Sequence, residues 1–346
     1  MIAVLRWILL PFSLLYATVV WLRNRLYDFE VLKSKSFNLP VIVVGNLAVG
    51  GTGKSPMVEY LLRIVHTSCR VAVLSRGYGR KTKGFRYVET TSSSDEVGDE
   101  PLQIKRKFSD YTVAVCEDRC TGIESIQDQH DAILLDDAFQ HRKLRPSFSI
   151  LLFDFHSLRK PMLPLPTGNF RDSLYESHRA NVIVVTKCPY NLDSKIRFDI
   201  QAKLQKYSHA PIFYAEITYH DLINDFGQTC RTETLKDYNV LLVTGIANPT
   251  PLVSYLHPKV KSIKHLTYGD HHTFSVADIA EMKASFVDIA STDKIIVTTE
   301  KDFQRLPPEI KNIFPLFYIP IQQRILFNQC AEFENMIKRA FVGMAD

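Results

Sequence analysis

The chain has 346 residues, 46% of them hydrophobic and 23% charged, with a net charge of +5. That balance excludes a disordered, collagen-like or repeat-built polypeptide and allows two domains of ordinary size. The six cysteines (Cys69, Cys116, Cys120, Cys188, Cys230 and Cys330) contain no C-x-x-C pair, so they read as reduced thiols rather than a disulfide or metal framework.

The first element is apolar. No charge occurs from Ile8 to Leu22, and the run extends back to Met1 with only Arg6 interrupting. Trp7, Tyr16 and Trp21 are residues of the membrane interface, and Arg23, Arg25, Lys33 and Lys35 after the run place the body of the protein on the cytoplasmic side. The length is near the ~20 residues that span a bilayer. Pro11 and Arg6 leave open a helix lying in the interface. A cleaved signal peptide lacks its A-x-A-like site here, and a helix buried in a soluble core is the remaining alternative. The expectation is a retained membrane anchor over residues 1–24.

Short runs rich in Val, Ile and Leu follow. Val41–Val44, Val71–Leu74, Val113–Cys116, Ala132–Leu135 and Ile150–Phe153 predict buried parallel strands, and Met57–Val65 predicts the helix after the first. Such alternation predicts an α/β fold with helices on both faces of a sheet. Lys160–Pro166 carries three prolines in six residues, which fits neither helix interior nor central strand. It reads as a hinge, giving a core domain over 25–158 and a second α/β domain over 159–346. Val182–Val185, Ile212–Tyr214, Val240–Val243, Ile295–Val297 and Leu316–Ile319 are then expected as the second domain's sheet. The tail predicts an amphipathic helix with Leu326, Cys330, Phe333, Ile337 and Phe341 on one face.

The strongest motif is Gly50-Gly51-Thr52-Gly53-Lys54-Ser55, between the first strand and the first helix. Strand, glycine-rich loop and helix form the phosphate-binding P-loop context: backbone N–H groups cradle phosphate, Lys54 reaches the β/γ-phosphates, and Ser55 holds magnesium. The strict pattern would have glycine at Ala48, so the loop is a variant. Asp131–Asp137 is an apolar strand ending in two carboxylates, Asp136 and Asp137, which suits a magnesium site. Neither Thr186-Lys187-Cys188-Pro189 nor Thr299-Glu300-Lys301-Asp302 is the N-K-x-D guanine reader, which favours ATP over GTP.

Several strings together resemble the tetraacyldisaccharide 4′-kinases of lipid A synthesis: Val44-Gly45-Asn46 with the variant P-loop, Ser75-Arg76-Gly77-Tyr78-Gly79-Arg80, Gly98-Asp99-Glu100-Pro101, Asp136-Asp137-Ala138-Phe139-Gln140-His141-Arg142, Leu165-Pro166-Thr167-Gly168 with Arg171, Gly245-Ile246-Ala247-Asn248-Pro249, Asp270-His271-His272, and Thr299-Glu300-Lys301-Asp302. The resemblance covers most of the chain, including the apolar N-terminus. Ala138-Phe139 replaces a more usual Gly-Leu, and Asp172 stands where Glu is common, which leaves the role of that position open.

The resemblance implies two α/β/α sandwich domains with a cleft between them, the first a P-loop NTPase (RecA-like) core. It also implies transfer of the γ-phosphoryl of ATP to the 4′-hydroxyl of a lipid-linked disaccharide 1-phosphate, giving lipid IVA, at the cytoplasmic face of the inner membrane. The implied sites fall into four groups. Asn46, Gly50, Gly51, Thr52, Gly53, Lys54, Ser55, Glu300, Lys301 and Asp302 bind nucleotide. Ser55, Asp136 and Asp137 bind Mg2+. Arg76, Tyr78, Arg80, Glu100, Arg119, Gln140, His141, Asn169 and Arg171 bind the lipid substrate. Asp99, His271 and Lys54 are catalytic. A bare carboxylate is a weak base for a sugar hydroxyl, and a histidine beside it would orient it and offset its charge. An Asp99–His271 pair is therefore expected, with His272 the other possible partner. Arginine suits bidentate phosphate contacts, hence Arg76, Arg80 and Arg119. The alternative function is a membrane-associated P-loop ATPase or GTPase of the protein-targeting type. No nucleic-acid module is visible, and no obligate protein partner is evident.

Overall fold

The structure is a computed structural model and describes residues 7–66, 69–270 and 272–343. The chain forms two compact units. The first comprises residues up to Ile217 together with the segment from Gln323 onward, and the second is Thr218–Gln322.

In the first unit β1 (Val41–Asn46), β2 (Val71–Ser75), β3 (Arg86–Tyr87), β4 (Thr112–Val115), β5 (Ala132–Asp136), β6 (Phe148–Asp154), β7 (Val182–Thr186) and β8 (Ile212–Tyr219) lie in one sheet. The order is β15-β8-β7-β6-β1-β5-β2-β4-β3, with β15 at Ile321–Ile325. β1 is central and runs parallel to β5 and β6, and β3 pairs antiparallel at the edge. Apolar clusters cover both faces, which is why these strands read as unbroken Val/Ile/Leu runs rather than alternating ones.

This corrects the expected domain division. β7 pairs with β6 (Ile150↔Val182) and β8 with β7 (Ile183↔Ile212), so both extend the first sheet. The proline-rich passage joins two neighbouring strands and is not a hinge. The C-terminal helix Cys330–Val342 also returns to the first unit. Phe333, Ile337 and Phe341 are buried in the cluster that holds Met57, Leu61 and Phe213. Truncating such a side chain costs ~3–5 kcal/mol, so the tail is structural. Leu326 is buried but precedes the helix, and Cys330 is exposed at its start.

The N-terminal helix spans Leu10–Asp28. Its inward stripe is Ser13, Tyr16, Ala17, Val20, Asn24 and Tyr27, at helical spacing. Trp7, Ile8, Phe12, Leu14, Leu15, Val19, Trp21 and Leu22 are exposed on the helix and at its start. Among the described residues no helix is long and apolar enough to cross a membrane. The part of the expected anchor before Trp7 lies outside them.

The second unit carries β9 (Leu222–Ile223), β10 (Thr229–Cys230), β11 (Asn239–Thr244), β12 (Ser262–Thr267), β13 (Lys294–Thr299) and β14 (Leu316–Ile319) in the order β10-β9-β14-β13-β11-β12. β11 to β14 are parallel, β9 pairs antiparallel, and two clusters cover the faces.

Candidate active site

The site in the first unit begins where β1 ends. The chain runs through Leu47–Gly53 and enters the helix Lys54–Val65. Gly53 adopts φ 84°, a conformation glycine takes without strain, and a Cβ there would lie 2.8 Å from the Gln323 amide. The Asn46 amide donates to the Thr52 hydroxyl (2.7 Å) and the Thr186 hydroxyl donates to the Thr52 carbonyl (2.7 Å). These bonds hold the loop shape without using the glycine N–H groups. Ala48 forms an antiparallel bridge with Phe170, so that position belongs to a short extended pairing and needs no glycine. Arg171 N–H donates to the Leu47 carbonyl and Val49 N–H to the Asn169 carbonyl. The 163–172 loop therefore lies along the front of the P-loop.

Asp136 ends β5 and is buried. Asp137 follows at φ 50°, a left-handed conformation that Asp tolerates better than most residues, with its N–H bonded to the Val44 carbonyl (3.0 Å). Lys54 Nζ stands 3.6 Å from Asp137 Oδ2. The Arg171 guanidinium donates to Asp137 Oδ1 (3.2 Å) and to Asn46 Oδ1 (2.6 Å). Ser55 Oγ donates to Glu100 Oε1 (3.1 Å), which puts Glu100 beside the expected magnesium residue rather than only at a substrate surface. The loop after Asp137 passes so close to β1 that a Cβ on Gly45 would fall 2.5 Å from Phe139 Cβ.

Arg119 is buried and its guanidinium donates to the Cys116, Glu117 and Asp137 carbonyls. Burial draws its pKa down, and the nearby Asp136 and Asp137 carboxylates oppose that fall. Arg76 is exposed and near enough to act electrostatically on Arg119 and His141. Burial, then Arg119, push the His141 imidazole down to about 4, so it is neutral at physiological pH. Gln140 donates to the Asn46 carbonyl (2.6 Å).

The hydroxyl of Ser55 and the carboxylates of Glu100, Asp136 and Asp137 are hard oxygen donors, the set Mg2+ prefers. A second group, Asp118, Cys120 and His141, has donor atoms within 4.8 Å of one another. Lys143 sits 2.6 Å from Asp118, and Arg119 and Arg76 bear on His141, so this group faces cations and is unsuited to a dication.

Other expected residues take different places. Asp99 opens the helix Asp99–Lys107, and Pro101 is tolerated because the first helical turn needs no N–H donor. Arg80 is turned inward onto Glu117 (2.7 Å) and the Gly84 carbonyl (2.7 Å), so it braces its own loop. Tyr78 and Asn169 are exposed. Arg171 points onto the P-loop and Asp137.

In the second unit Asp302 is fully buried. It accepts from Gly245 N–H (2.9 Å) and the Thr299 hydroxyl (2.7 Å) and pairs with Arg305 (3.2 Å). It holds the turn after β11. Glu300 is buried and Lys301 partly exposed. His272 is bonded to Asp278 (2.9 Å), stacked on Tyr268 and edge-on to Phe274. His271 lies outside the described residues.

Sequence reasoning missed Ser13 and Asn24, and placed Tyr16 at the membrane interface, whereas it faces the protein. Ser13 Oγ donates to Thr167 Oγ1 (2.8 Å), Tyr16 to the Arg171 carbonyl (3.0 Å), and Asn24 to Asp172 Oδ1 (2.9 Å). Their spacing along one face of an otherwise apolar helix was the available signal.

A family model for the tetraacyldisaccharide-1-P 4′-kinase, LpxK, matches residues 5–341. The tetraacyldisaccharide 4′-kinase of Phocaeicola vulgatus is 39% identical, covering 97% of this chain and 95% of its own. That of Flavobacterium johnsoniae is 42% identical, covering 94% of each. The crystal structure of LpxK from Aquifex aeolicus in complex with ATP aligns with a TM-score of 0.76 at 30% identity, over 97% of this chain and 99% of that one. With a matching fold, a variant P-loop built as described and near full-length similarity, this chain belongs to the tetraacyldisaccharide-1-P 4′-kinase family.

Proposed function

We propose that the protein transfers the γ-phosphoryl of ATP to the 4′-hydroxyl of tetraacyldisaccharide 1-phosphate, forming lipid IVA at the cytoplasmic face of the inner membrane. The observation that carries this reading is the convergence of Lys54, Asp137, Ser55, Glu100 and Arg171 around one phosphate-binding loop. Phosphoryl transfer asks little covalent chemistry of a protein; it needs positioning and stabilisation of charge on the moving group. The Gly50–Gly53 backbone cradles the phosphates and Lys54 follows the charge. Ser55, Asp136, Asp137 and Glu100 would hold Mg2+, which supplies neutralisation of phosphate charge when bound. Asp137 is balanced by both Lys54 and Arg171, so Lys54 remains available to a phosphate only while Arg171 shares that carboxylate.

We assign proton removal from the 4′-hydroxyl to Asp99 with His271. His272 is committed to Asp278 and two aromatic rings, which favours His271 for this role. Arg76, Tyr78, His141 and Asn169 are assigned to the lipid headgroup, and Glu300 and Lys301 to the nucleotide. The outward apolar face of the N-terminal helix is assigned to the lipid surface; its bulky residues with Trp7 and Trp21 suit a helix lying in the interface. The test is incubation with γ-labelled ATP, Mg2+ and tetraacyldisaccharide 1-phosphate in detergent. Label in the lipid fraction is the expected result, and its absence with competent ATP binding overturns the reading.

A further inference from the structure

We propose that the N-terminal helix is a positioning element of the active site as well as a membrane contact, acting through Asn24, Tyr16 and Ser13 on the loop that carries Arg171. This rests on the kinase reading above and deepens it.

The helix buries only two side chains fully, and both are polar: Ser13 at 0% and Asn24 at 2% exposure. An apolar anchor that merely tethers has no use for buried polar groups, because each must find a partner on burial. Here each finds one in a single loop. Ser13 exchanges two bonds with Thr167, donating from its hydroxyl (2.8 Å) and accepting from the Thr167 N–H (2.9 Å). Tyr16 donates to the Arg171 carbonyl (3.0 Å). The Asn24 amide donates to Asp172 (2.9 Å), while Arg23 donates to the Asn24 amide oxygen (3.1 Å) and so fixes which way the amide points.

The same loop then reaches the phosphate site. Arg171, next to Asp172, donates to Asp137 (3.2 Å), to Asn46 (2.6 Å) and to the Ala48 carbonyl (3.4 Å). Asn46 in turn holds Thr52 of the P-loop. Two backbone bonds, Val49 to Asn169 and Arg171 to Leu47, fasten the loop to the P-loop flank. The helix therefore fixes the backbone on either side of the guanidinium that shares Asp137 with Lys54. Removing the helix contacts frees Arg171 to drift, and Lys54 is then drawn onto Asp137 and away from the phosphate.

The test uses the full chain, with kcat and KM measured for lipid and ATP in detergent, and flotation with vesicles of anionic phospholipid measured separately. Asn24→Ala is expected to lower kcat ~10-fold, since displacements of about 1 Å remote from the chemistry commonly cost up to ~10²-fold. KM for ATP and flotation are expected to stay near wild type. Asn24→Asp sets two carboxyl groups against each other and is expected to be worse. Asn24→Asp with Asp172→Asn exchanges donor and acceptor and is expected to recover most of the lost kcat, a rescue that loss of tethering cannot give. Tyr16→Phe, which removes one hydroxyl, is expected to lower kcat by a few-fold and serves if an Asn24 variant fails to fold. Wild-type kcat in Asn24→Ala and Tyr16→Phe, a kcat loss that tracks lost flotation, or an exchange no better than Asn24→Asp overturns the inference. A wild-type enzyme that phosphorylates no lipid overturns the kinase reading instead.

Discussion

Asp172 offers a stability test that needs no substrate. It is 6% exposed, and burial, then the Glu176 carboxylate, push its carboxyl from the ordinary 3.8 up to about 6. Arg179, the Ser173 N–H and Arg23 act in the other direction, and Tyr16 faces it from the helix. A rise of about two units corresponds to ~3 kcal/mol. The folded chain binds this proton more tightly than the unfolded chain. The stabilisation is therefore complete below pH 3.8 and is lost as pH rises through about 6. Asp172→Asn has no charge to desolvate, and its amide oxygen still accepts from Asn24. The variant is expected to gain up to ~3 kcal/mol at pH 8 and roughly half of that at pH 5. For a unit of this size that is ~6–12 °C in the melting temperature of the first unit at pH 8, narrowing as the pH falls. Thermal unfolding at pH 5, 6.5 and 8 measures it. A variant no more stable than wild type at pH 8, or a gain that does not shrink at pH 5, refutes the reasoning.

Lys54→Ala is expected to lower kcat ~10²–10³-fold with the melting temperature kept, as for other contacts to developing charge, and chelation of Mg2+ in the wild type is expected to abolish turnover. Near-normal turnover of the variant removes Lys54 from the chemistry. Gly45→Ala drives a Cβ into Phe139 and is expected to cost ~1–3 kcal/mol of stability and to weaken nucleotide binding, read by thermal unfolding and calorimetric titration. Phe12→Ser with Trp21→Ser, both exposed on the helix, is expected to reduce flotation with anionic vesicles while thermal stability stays within ~0.5 kcal/mol of wild type. Unchanged flotation excludes this face from lipid contact. Deleting residues 1–24 is a blunter test, because it also removes Ser13 and Tyr16 from the Arg171 loop.

Strands buried on both faces announced themselves as apolar runs, so every predicted strand from Val41–Val44 to Leu316–Ile319 is present. Their division between sheets was not legible, because a parallel neighbour is chosen by three-dimensional packing and not by nearness in sequence. Proline density at Lys160–Pro166 signalled irregular backbone correctly, but a loop folded against the P-loop and a domain hinge look alike in one dimension. The return of the C-terminal helix to the first unit was hidden for the same reason. At the candidate site, the motif spacing singled out Lys54, Ser55, Asp136 and Asp137, and the structure brings Lys54 to Asp137 and Ser55 to Glu100 at the ends of neighbouring strands β1 and β5. For Arg80 and Arg171 the sequence shows the residue type but not the partner, since an arginine that braces a loop and one that binds phosphate have the same letter; in the structure they meet Glu117 and Asp137. Asn24 drew no notice because it follows the apolar run among the basic residues Arg23 and Arg25, yet its burial and its bond to Asp172 tie the helix to the loop that carries Arg171.

The central claim is that this P-loop passes phosphate to a lipid hydroxyl and not to water, and the stoichiometry of ADP release tests it most directly. Purified protein with ATP and Mg2+ is followed with and without tetraacyldisaccharide 1-phosphate, and the phosphate gained by the lipid is quantified alongside. The account predicts slow ADP release without lipid, a large increase with it, and one 4′-phosphate formed per ADP. Rapid hydrolysis indifferent to lipid, with free phosphate as the product, would contradict it and favour an ATPase.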